Sequence, residues 1–329
     1  MRRLGTKLIA AALLFAAGTP AFAADKVTLQ LGWLPGGDAA PAMIGVAQGL
    51  FAKQGLDVTV VPGRGSTDTL TKVVSGVADI GEVGFDALLA AYAESKVPAK
   101  AILSIYNTPP DALFVLEDGP IKSLKDVAGK RVATSPFTSS NYPWPYVLKL
   151  AGVDPASVNL IKADPSALAG MLAVGKTDGV IFWVTTTYQA KSVLEKAGKK
   201  LRVLPWSKYG FAGYSRSLVA SDKTIAEKPD VLRRFNIAYV EAEKMMAENP
   251  EIAGKSVKAL FPVTDEKVAA LASTTSTPLI FNSISDKHGV GSLDENLVGI
   301  TWSWVAKYTG KSPDAIDPED VVNRDFIPK

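Results

Sequence analysis

The sequence predicts an α/β protein with two lobes, each built on a doubly wound sheet, and with two crossings of the chain between them. Segments with strand and helix periodicity alternate along most of the chain, which is typical of such sheets. The connections between these segments are short. The alternation starts again near residue 112, so that its two parts resemble each other. With 329 residues, 47% of them hydrophobic, the chain is long enough for two domains.

The chain begins with a segment typical of a secretory signal peptide. Arg2, Arg3 and Lys7 precede an apolar run over residues 8–17, and the segment ends in small residues around Ala23. We predict cleavage after Ala23, which would remove the first part of the chain. The apolar run is too short to span a bilayer, although an uncleaved anchor helix is the alternative interpretation.

Composition argues against several classes of protein. Without the three cations of the predicted signal peptide, 36 lysines and arginines become 33, against 33 aspartates and glutamates, so a nucleic-acid partner is not favoured. The lack of cysteine removes disulfides, a lipid attachment point, a thiolate nucleophile and cysteine metal ligands. A single histidine, His288, argues against a histidine triad or a multi-histidine metal site. We therefore expect a monomeric periplasmic protein with no cofactor, no metal and no lipid anchor.

The first lobe is predicted to comprise residues 24–111 and 217–329. Its predicted strands are "VTLQL", "LDVTVVPG", "ADIGEVG" and "AKAILSIY", and they alternate with the helices "APAMIGVAQGLFAKQG", "TLTKVVSG" and "DALLAAYAESK". The C-terminal part is mostly helical, with amphipathic helices over "PDVLRRFNIAYVEAEKMMAENP" and "DENLVGITWSWVAKYTG". Trp302 and Trp304 lie on the second of these and are expected to pack against the core, whereas His288 is expected in an exposed loop.

The second lobe is predicted to comprise residues 112–216. Its predicted elements are, in order, "ALFVLED", "SLKDVAG", "KRVAT", "YVLKLAG", "SVNLIKAD", "SALAGMLAVG", "DGVIFWV", "TYQAKSVLEKAG" and "LRVLPW". The chain would cross between the lobes near Ala112 and near Ser217, and two crossing strands make a hinge.

A weak internal repeat supports the similarity of the lobes. "VVSGVADIGEVG" and "LAVGKTDGVIFW" share a helix end, a glycine, two residues, an aspartate and a strand. Gly76 corresponds to Gly175, and Asp79 to Asp178. Each glycine suits the left-handed position that ends a helix, and each aspartate can close the turn into the next strand. These residues therefore indicate architecture, not ligand contact.

Four loops at the carboxyl ends of strands are candidates for ligand binding, because ligands of open parallel sheets bind there. They are "GWLPGGDAAP", "PGRGSTDT", "GEVGFD" and "TSPFTSSNYPWP". The last loop offers hydroxyl and amide groups at Ser139, Ser140 and Asn141, which also suit helix N-caps, and a flat ring at Tyr142. It therefore predicts a cradle for a small molecule with a polar or anionic end and a flat body. Simple capping and packing is the alternative.

Basic and aromatic residues sharpen this prediction. Arg64 offers a planar fork suited to carboxylate, sulfonate or phosphate, although the P-loop spacing is absent and a solvated arginine is the alternative. Trp33 and Trp183 follow strand ends, where their rings would wall a pocket. Arg216 can either reach the cleft or pair with an acid, and the sequence leaves this open. The full set of predicted ligand-binding residues is Trp33, Asp38, Arg64, Gly65, Ser66, Thr67, Phe85, Asp86, Ser135, Thr138, Ser139, Ser140, Asn141, Tyr142, Trp183 and Tyr214.

The long stretch "LGWLPGGDAAPAMIGVAQGLFAKQGLDVTVVPGRGSTDTLTKVVSGVADIG" resembles the opening of periplasmic solute-binding proteins of the nitrate, sulfonate, taurine and pyrimidine-precursor class of ABC importers. "SLKDVAGKRVAT", "GKTDGVIFW" and "SPDAIDPEDVVNRDFI" are similar to other parts of that class, called NMT1/THI5-like and SsuA-like. The resemblance implies a type II, Venus-flytrap periplasmic-binding-protein fold, with a solute bound between the lobes and delivered to an ABC permease and its ATPase. A small organic anion or an aromatic heterocycle is the expected solute.

The chain departs from the pyrimidine-precursor branch at one place. There, an acidic residue follows the aromatic residue of the second-lobe strand, whereas here the run is "FWVTTTY". The family also has an enzymatic relative, the fungal pyrimidine synthase, but its cysteine-rich iron motif cannot exist in this chain. We therefore expect a binding protein that is not an enzyme. An enzyme that uses the same cleft and a ligand sensor for a membrane receptor are the alternatives.

Overall fold

The computed structural model of the protein describes residues 23–210 and 212–329. Except for Ala23, the predicted signal peptide lies outside the described residues. The described chain forms two five-stranded sheets with helices on their faces, which confirms the predicted two-lobed α/β fold. We call the first sheet with its helices the first lobe, and the second sheet with its helices the second lobe.

The sheet of the first lobe is mixed. Its strand order is β2–β1–β3–β10–β4, in which β10 is antiparallel to both neighbours and β1 is parallel to β2 and β3. The strands are β1 (Asp25–Gln30), β2 (Leu56–Val61), β3 (Ile80–Gly84), β4 (Ala99–Ser104) and β10 (Arg216–Ser221). The prediction of a parallel sheet is therefore wrong for β10, because periodicity identifies strands but not their direction.

The sheet of the second lobe repeats this arrangement. Its order is β7–β6–β8–β5–β9, with β6 parallel to β7 and β8 and with β5 antiparallel to β8 and β9. The strands are β5 (Asp111–Leu116), β6 (Arg131–Thr134), β7 (Asn159–Lys162), β8 (Gly179–Trp183) and β9 (Leu201–Pro205). In each sheet the antiparallel fourth strand is thus the one that the chain forms directly after it crosses from the other lobe.

Helices cover the sheets in both lobes. The first lobe contains α1 (Ala40–Ala47), α2 (Leu50–Lys53), α3 (Ser66–Val74), α4 (Phe85–Ser95), α8 (Asp222–Glu227), α9 (Pro229–Glu248), α10 (Pro250–Leu260), α11 (Glu266–Ile280), α12 (Ser283–His288) and α13 (Glu295–Thr309). The second lobe contains α5 (Trp144–Leu150), α6 (Pro165–Ala173) and α7 (Thr187–Lys196). Among the helices of the described chain, none has the length and apolar character needed to cross a membrane.

Three local predictions need correction. The helix predicted over "APAMIGVAQGLFAKQG" is divided into α1 and α2, because Gly49 adopts a left-handed conformation with φ of 69°. The segment "SLKDVAG" contains a short 3₁₀ helix, Leu124–Val127. His288 is the last residue of α12 and not a loop residue, although it is exposed as predicted, and its Nδ1 lies 3.3 Å from Asp294 Oδ2.

The internal repeat has the structural role that its pattern indicates. Gly76 and Gly175 both have left-handed backbone conformations, with φ of 75° and 72°. Asp79 Oδ2 accepts a hydrogen bond from the Thr28 amide at 2.8 Å, and Asp178 Oδ2 accepts one from the Arg131 amide at 2.9 Å. Each aspartate therefore ties the start of its own strand to the neighbouring strand β1 or β6.

Aromatic pairs anchor the cores of both lobes. Phe51 stacks on Phe235 with ring centroids 4.7 Å apart in the first lobe, and Trp144 stacks on Trp206 at 5.3 Å in the second. All four side chains are almost fully buried. Each contributes about 1.5–3 kcal/mol or more through burial of apolar surface. Trp302 is also buried, as predicted.

The two crossings lie side by side. The amides of Ile105 and Tyr106 donate to the Arg216 carbonyl at 2.8 and 2.9 Å, and the Ser215 amide donates to the Tyr106 carbonyl at 2.8 Å. These bonds join the two chain segments that connect the lobes. Both segments also border the space between the lobes, so a change of the angle between the lobes would change the conformation of these segments.

Candidate functional site

A narrow cavity lies between the lobes, where the carboxyl ends of strands from both sheets face each other. Its volume is about 20 Å³, which is room for about one water. The first lobe contributes Gly32, Trp33, Asp38, Gly65, Ser66 and Arg216. The second lobe contributes Thr138, Ile181, Phe182, Trp183 and Thr186. The cavity is therefore a slot that both lobes line.

Glycines bring the backbone of the first lobe close to the slot. A Cβ atom at Gly63 would lie 1.9 Å from the Leu31 carbonyl oxygen, so only glycine fits where this loop passes the end of β1. Gly65 follows with φ of 142° and begins α3. Ser66, in the first turn, accepts a hydrogen bond from the Gly84 amide at 2.9 Å through its Oγ, which leaves its hydroxyl hydrogen able to donate. The N-terminus of α3 therefore faces the slot.

The only cation among the described residues that line the slot is Arg216, and it is buried. Its side chain is 2% exposed, and its Nη2 is 2.7 Å from Asp38 Oδ2 while Nη1 donates to the Asp38 carbonyl at 2.9 Å. Glu82 Oε2 lies 3.6 Å from Nη1. Burial acts to lower the pKa of Arg216, but its electrostatic interactions with the Tyr106 hydroxyl and with the carboxylates of Asp38 and Glu82 together raise it above its ordinary value. Arg216 therefore stays charged and is neutralised within the protein.

Aromatic rings form the walls of the slot. Trp33 meets Phe182 edge to face, with ring centroids 6.4 Å apart at 88°. The Trp183 ring lies 5.2 Å from the Arg216 guanidinium carbon, and its Nε1 donates to Ser140 Oγ at 3.1 Å. These contacts fix the Trp183 ring, so the flat face that it offers to a solute is already oriented.

The loop "SPFTSSNYPWP" lies against the N-terminus of α3 and so connects the lobes. Ser135 Oγ donates to the Arg64 carbonyl at 3.0 Å, and Thr67 Oγ1 donates to the Phe137 carbonyl at 3.0 Å. Asn141 Nδ2 donates to the Ser135 carbonyl at 2.8 Å, and this hydrogen bond within the loop stabilises its conformation. The lobes are in direct contact here, which makes this a closed arrangement.

Side-chain capping is not what the polar residues of that loop do. Ser139 and Asn141 bound a short 3₁₀ helix, and Pro143, which has no capping side chain, precedes α5. Ser140 Oγ instead donates to Asp111 Oδ1 at 2.5 Å and accepts from Trp183. Ser139 is buried at the contact with Gly84. The polar residues therefore hold the loop and the Trp183 ring in place.

The structure brings only some of the predicted ligand-binding residues to the slot. The slot is lined by Trp33, Asp38, Gly65, Ser66, Thr138 and Trp183. Four more lie in the layer behind it through the hydrogen bonds described above, and these are Thr67, Ser135, Ser140 and Asn141.

Five further predicted residues lie elsewhere. Phe85 is fully buried in the core of the first lobe, edge to face with Tyr214 at 6.0 Å. Asp86 and Tyr214 line a different cavity. Tyr142 is 36% exposed. Arg64 is at the surface, where its Nη2 is 3.2 Å from Asp164 Oδ2 of the second lobe.

Sequence reasoning missed some lining residues. Gly32, Ile181, Phe182 and Thr186 line the slot although none was predicted. Phe182 directly precedes Trp183, so an aromatic pair at a strand end was the signal that could have found it. No pattern in the sequence pairs Asp38 with Arg216, since the two are far apart in the chain.

The position of Arg64 leads to a prediction. Its side chain is 52% exposed, and exposed ion pairs are worth at most about 1 kcal/mol. We expect Arg64→Ala to weaken solute binding by no more than about 5-fold, equally for anionic and neutral solutes. Isothermal titration of both kinds of solute would measure this. Arg131→Ala is the matched control, because Arg131 pairs with Asp178 within the second lobe alone. A loss restricted to anions would place Arg64 in the site.

Comparison with known proteins identifies the family. The family model described as "NMT1/THI5 like" matches residues 37–253. The taurine-binding periplasmic protein of Escherichia coli is 26% identical over 73% of this chain and 73% of its own length. The riboflavin-binding protein RibY of Chloroflexus aurantiacus is 23% identical over 92% of this chain and 86% of its own length.

Structural comparison gives the same fold. A Candida albicans gene product described as having the generic periplasmic binding protein fold superposes with a TM-score of 0.69, at 17% identity, over 92% of this chain and 98% of that chain. The Venus-flytrap architecture expected from the resemblance is thus confirmed. Since the family model covers most of the chain, from the loop that carries Asp38 to α10, this protein belongs to the NMT1/THI5-like family.

Proposed function

We propose that this protein is the solute-binding component of an ABC importer and that it captures a small flat solute between its lobes. The lobes would divide near the predicted bounds, residues 24–111 with 217–329 and residues 112–216, except that Asp111 belongs to the second sheet and Arg216 to the first. The observation that carries this proposal is the slot, which both lobes line at the carboxyl ends of their strands, directly beside the two crossings. Relatives of this chain are periplasmic binding proteins, which supports the proposal.

The proposed location and partners follow from the same function. The N-terminal pattern of cations, apolar run and small residues would direct the chain to the periplasm, where the mature protein would be monomeric and without a lipid anchor. An ABC permease with its ATPase would accept the loaded protein. A sensor that presents the closed form to a membrane receptor would need the same slot, and neighbouring genes for a permease and an ATPase would separate the two roles.

The lining of the slot suits a flat heterocycle better than a small anion, and a heterocycle would hold the lobes slightly further apart than they are here. Trp33, Phe182 and Trp183 supply ring surfaces, and the slot is narrow. The Arg216 guanidinium is already paired with Asp38, so no unpaired cation of the described lining awaits a sulfonate or carboxylate. The pair instead offers donors and acceptors side by side, which complement the mixed edge of a heterocycle. The named relatives bind one solute of each kind, taurine and riboflavin.

The proposed mechanism is closure around the solute. In an open arrangement, the solute would lie against the first lobe at Trp33 and Ser66. Closure would bring Thr138 and Trp183 of the second lobe onto it. Because contacts with both lobes exist only in the closed form, the solute stabilises that form and shifts the population towards it. The permease would distinguish the loaded protein by this shape.

We propose binding without chemical change of the solute. The relatives named above are binding proteins. The slot holds no histidine or cysteine among its described lining residues, and the described residues contain no cluster of acids and histidine suited to a metal ion. A catalytic role would require a general base and a nucleophile positioned on the solute.

A thermal-shift panel on the mature protein tests the proposed function. It would include pyrimidines, flavins, aromatic carboxylates, sulfonates, taurine and nitrate. A solute at about 100 times its Kd stabilises the folded state by about 2.7 kcal/mol, which gives a clear shift of Tm. A response to flat heterocycles supports the proposal. A response to sulfonates or nitrate alone would overturn the assigned solute class while keeping the receptor role.

Trp183→Ala tests the position of the solute. We expect the responding solute to bind about 5- to 150-fold more weakly, because stacking of a flat ring on an aromatic side chain is worth about 1–3 kcal/mol. Titration calorimetry measures the affinity, and far-UV circular dichroism checks the fold. Trp206→Ala is the matched control, since Trp206 is buried against Trp144 away from the slot and should lower stability without changing affinity. Unchanged affinity in Trp183→Ala would remove this ring from the site.

A further inference from the structure

A second cavity lies beside the crossings, separated from the slot by the contact between Ser140 and Trp183. It is small, with a volume of about 30 Å³, which is room for about one or two waters. Both crossings reach it, through Pro109 and Asp111 of the first and through Tyr214 and Ser215 of the second. Asp86 of α4 and Thr301 and Tyr308 of α13 are further polar residues of its lining. The cavity is therefore placed where a change in the angle between the lobes would alter its shape.

Its two carboxylates come from different lobes. Asp86 lies in the first turn of α4, directly after β3 of the first sheet, and Asp111 is the first residue of β5 in the second sheet. Both face the same cavity. When the lobes are closed, these two acids are therefore brought together, and when the lobes open they would separate and meet water.

The cavity has few hydrogen-bond donors and no cation among its described lining residues to stabilise the two carboxylates. Asp111 Oδ1 accepts a hydrogen bond from Ser140 at 2.5 Å, but Asp86 Oδ1 is buried without a hydrogen-bond partner, as is the Tyr308 hydroxyl. Among the described lining residues there is no lysine, arginine or histidine. Lys307 of α13 places its ammonium 4.7 Å from the Trp304 ring centroid. The other titratable groups around the cavity are tyrosines, namely Tyr142, Tyr146 and Tyr214.

Both acids hold protons more tightly in this arrangement than in water. Burial, followed by the charge of Asp111, raises the pKa of Asp86 to about 7. Burial raises the pKa of Asp111 to about 6, against the opposing hydrogen bond from Ser140. Both acids are partly buried and face the same small cavity, where their negative charges repel each other, so they titrate as a pair.

We propose that closure of the lobes takes up a proton on the Asp86–Asp111 pair, so that acidification favours the closed form. This inference rests on the proposed function, since it requires lobes that open and close. In the open form, water would surround both acids and lower their pKa values towards those of ordinary aspartates. The closed form would therefore bind more protons than the open form between about pH 4 and pH 7. The closed form therefore gains stability as pH falls through this window, and it loses stability as pH rises through it.

Spin labels attached to introduced cysteines can measure the ratio of closed to open populations, because the chain contains no cysteine of its own. Ser75→Cys and Lys176→Cys would place labels at exposed positions after α3 and α6, one in each lobe. Distances would be measured on the mature protein without added solute, near pH 5.5 and near pH 8. We expect the ratio of closed to open populations to be about 10-fold higher at the lower pH.

Variants assign the effect to the pair. Asp86→Asn with Asp111→Asn replaces each acid by a neutral group of the same shape, and we expect the closed population to become independent of pH. Asp118→Asn changes an exposed acid of the second lobe and should keep the wild-type response. The Tm provides a second readout, because groups with raised pKa in the folded state lose their stabilising effect as pH rises. The wild-type Tm should therefore fall between about pH 5.5 and pH 8 more steeply than that of the double variant.

The outcomes separate this inference from the proposed function. The proton linkage would be overturned if the ratio of closed to open populations did not depend on pH, or if it depended on pH equally in the wild type and the double variant. Either result would leave the binding role intact. A single distance at every pH and with every solute of the panel would overturn both, because the lobes would not move. A pH response that only the Asp86–Asp111 variant abolishes supports the inference.

Discussion

Replacement of Arg216 by leucine is expected to lower the free energy of unfolding by about 3–5 kcal/mol at neutral pH, because it leaves buried acids without their counter-charge. Arg216 is 2% exposed, and it pairs with Asp38 while lying 3.6 Å from Glu82. Both acids are almost fully buried as well. Urea denaturation of the variant and of the wild type would measure the difference.

The cost in Arg216→Leu should depend on pH. Burial raises the pKa of Glu82, and Arg216 opposes that rise. Without Arg216, the pKa of Glu82 should rise further, and a group whose pKa is raised on folding destabilises the protein as pH rises through that value. The stability deficit of Arg216→Leu should therefore shrink as pH falls towards about 5.

Two further variants test this interpretation. Asp38→Asn in the Arg216→Leu background removes one of the uncompensated charges and should restore part of the lost stability, so the two effects should not add. Arg131→Leu removes an arginine whose side chain is 43% exposed and should cost no more than about 1 kcal/mol. A deficit in Arg216→Leu as small as that of Arg131→Leu would show that the buried cluster contributes no more than a surface pair.

The predictable part of this protein is the part that local sequence determines. The alternation of strands and helices follows from periodicity, and Gly76 and Gly175 end helices because their left-handed conformation favours glycine. The roles of Asp79 and Asp178 follow from the same local pattern. Most strands and the similarity of the lobes were therefore accessible from the sequence, whereas the antiparallel direction of β5 and β10 was not.

The site could be predicted only in part from the sequence, because contacts between residues far apart in the chain decide which charged side chains reach it. Arg64 has the chemistry of an anion ligand, but its side chain pairs with Asp164 at the surface. Arg216 has the same chemistry and does reach the slot, where Asp38 neutralises it. Only the tertiary structure distinguishes these two arginines. The same holds for Asp111, whose partner across the lobes is Asp86 and whose pattern in the sequence is that of an ordinary strand start.

Gly65→Ala is expected to hinder closure of the lobes and to weaken solute binding by about 100-fold or more. A Cβ atom at this position would lie 2.3 Å from the backbone carbon and oxygen of Phe137, which belongs to the second lobe. Backbone atoms cannot turn aside as a flexible side chain can, so separation of the lobes is the simplest relief. A solute that binds the closed form then loses affinity in proportion to the closed population, and about 3 kcal/mol of penalty gives a loss of about 100-fold.

Gly76→Ala is the control that separates the effect of the clash with Phe137 from the effect of backbone strain. Gly65 and Gly76 both have positive φ, 142° and 75°, so alanine costs about 1–3 kcal/mol in stability at either position. Nothing lies within 4 Å of a Cβ atom at Gly76, whereas Gly65 meets Phe137. Titration of the responding solute and the distance between labels at Ser75 and Lys176 should therefore change only in Gly65→Ala. If both variants bind and close like the wild type, the contact between α3 and the Phe137 loop is not what brings the lobes together, and closure must rest on the solute alone.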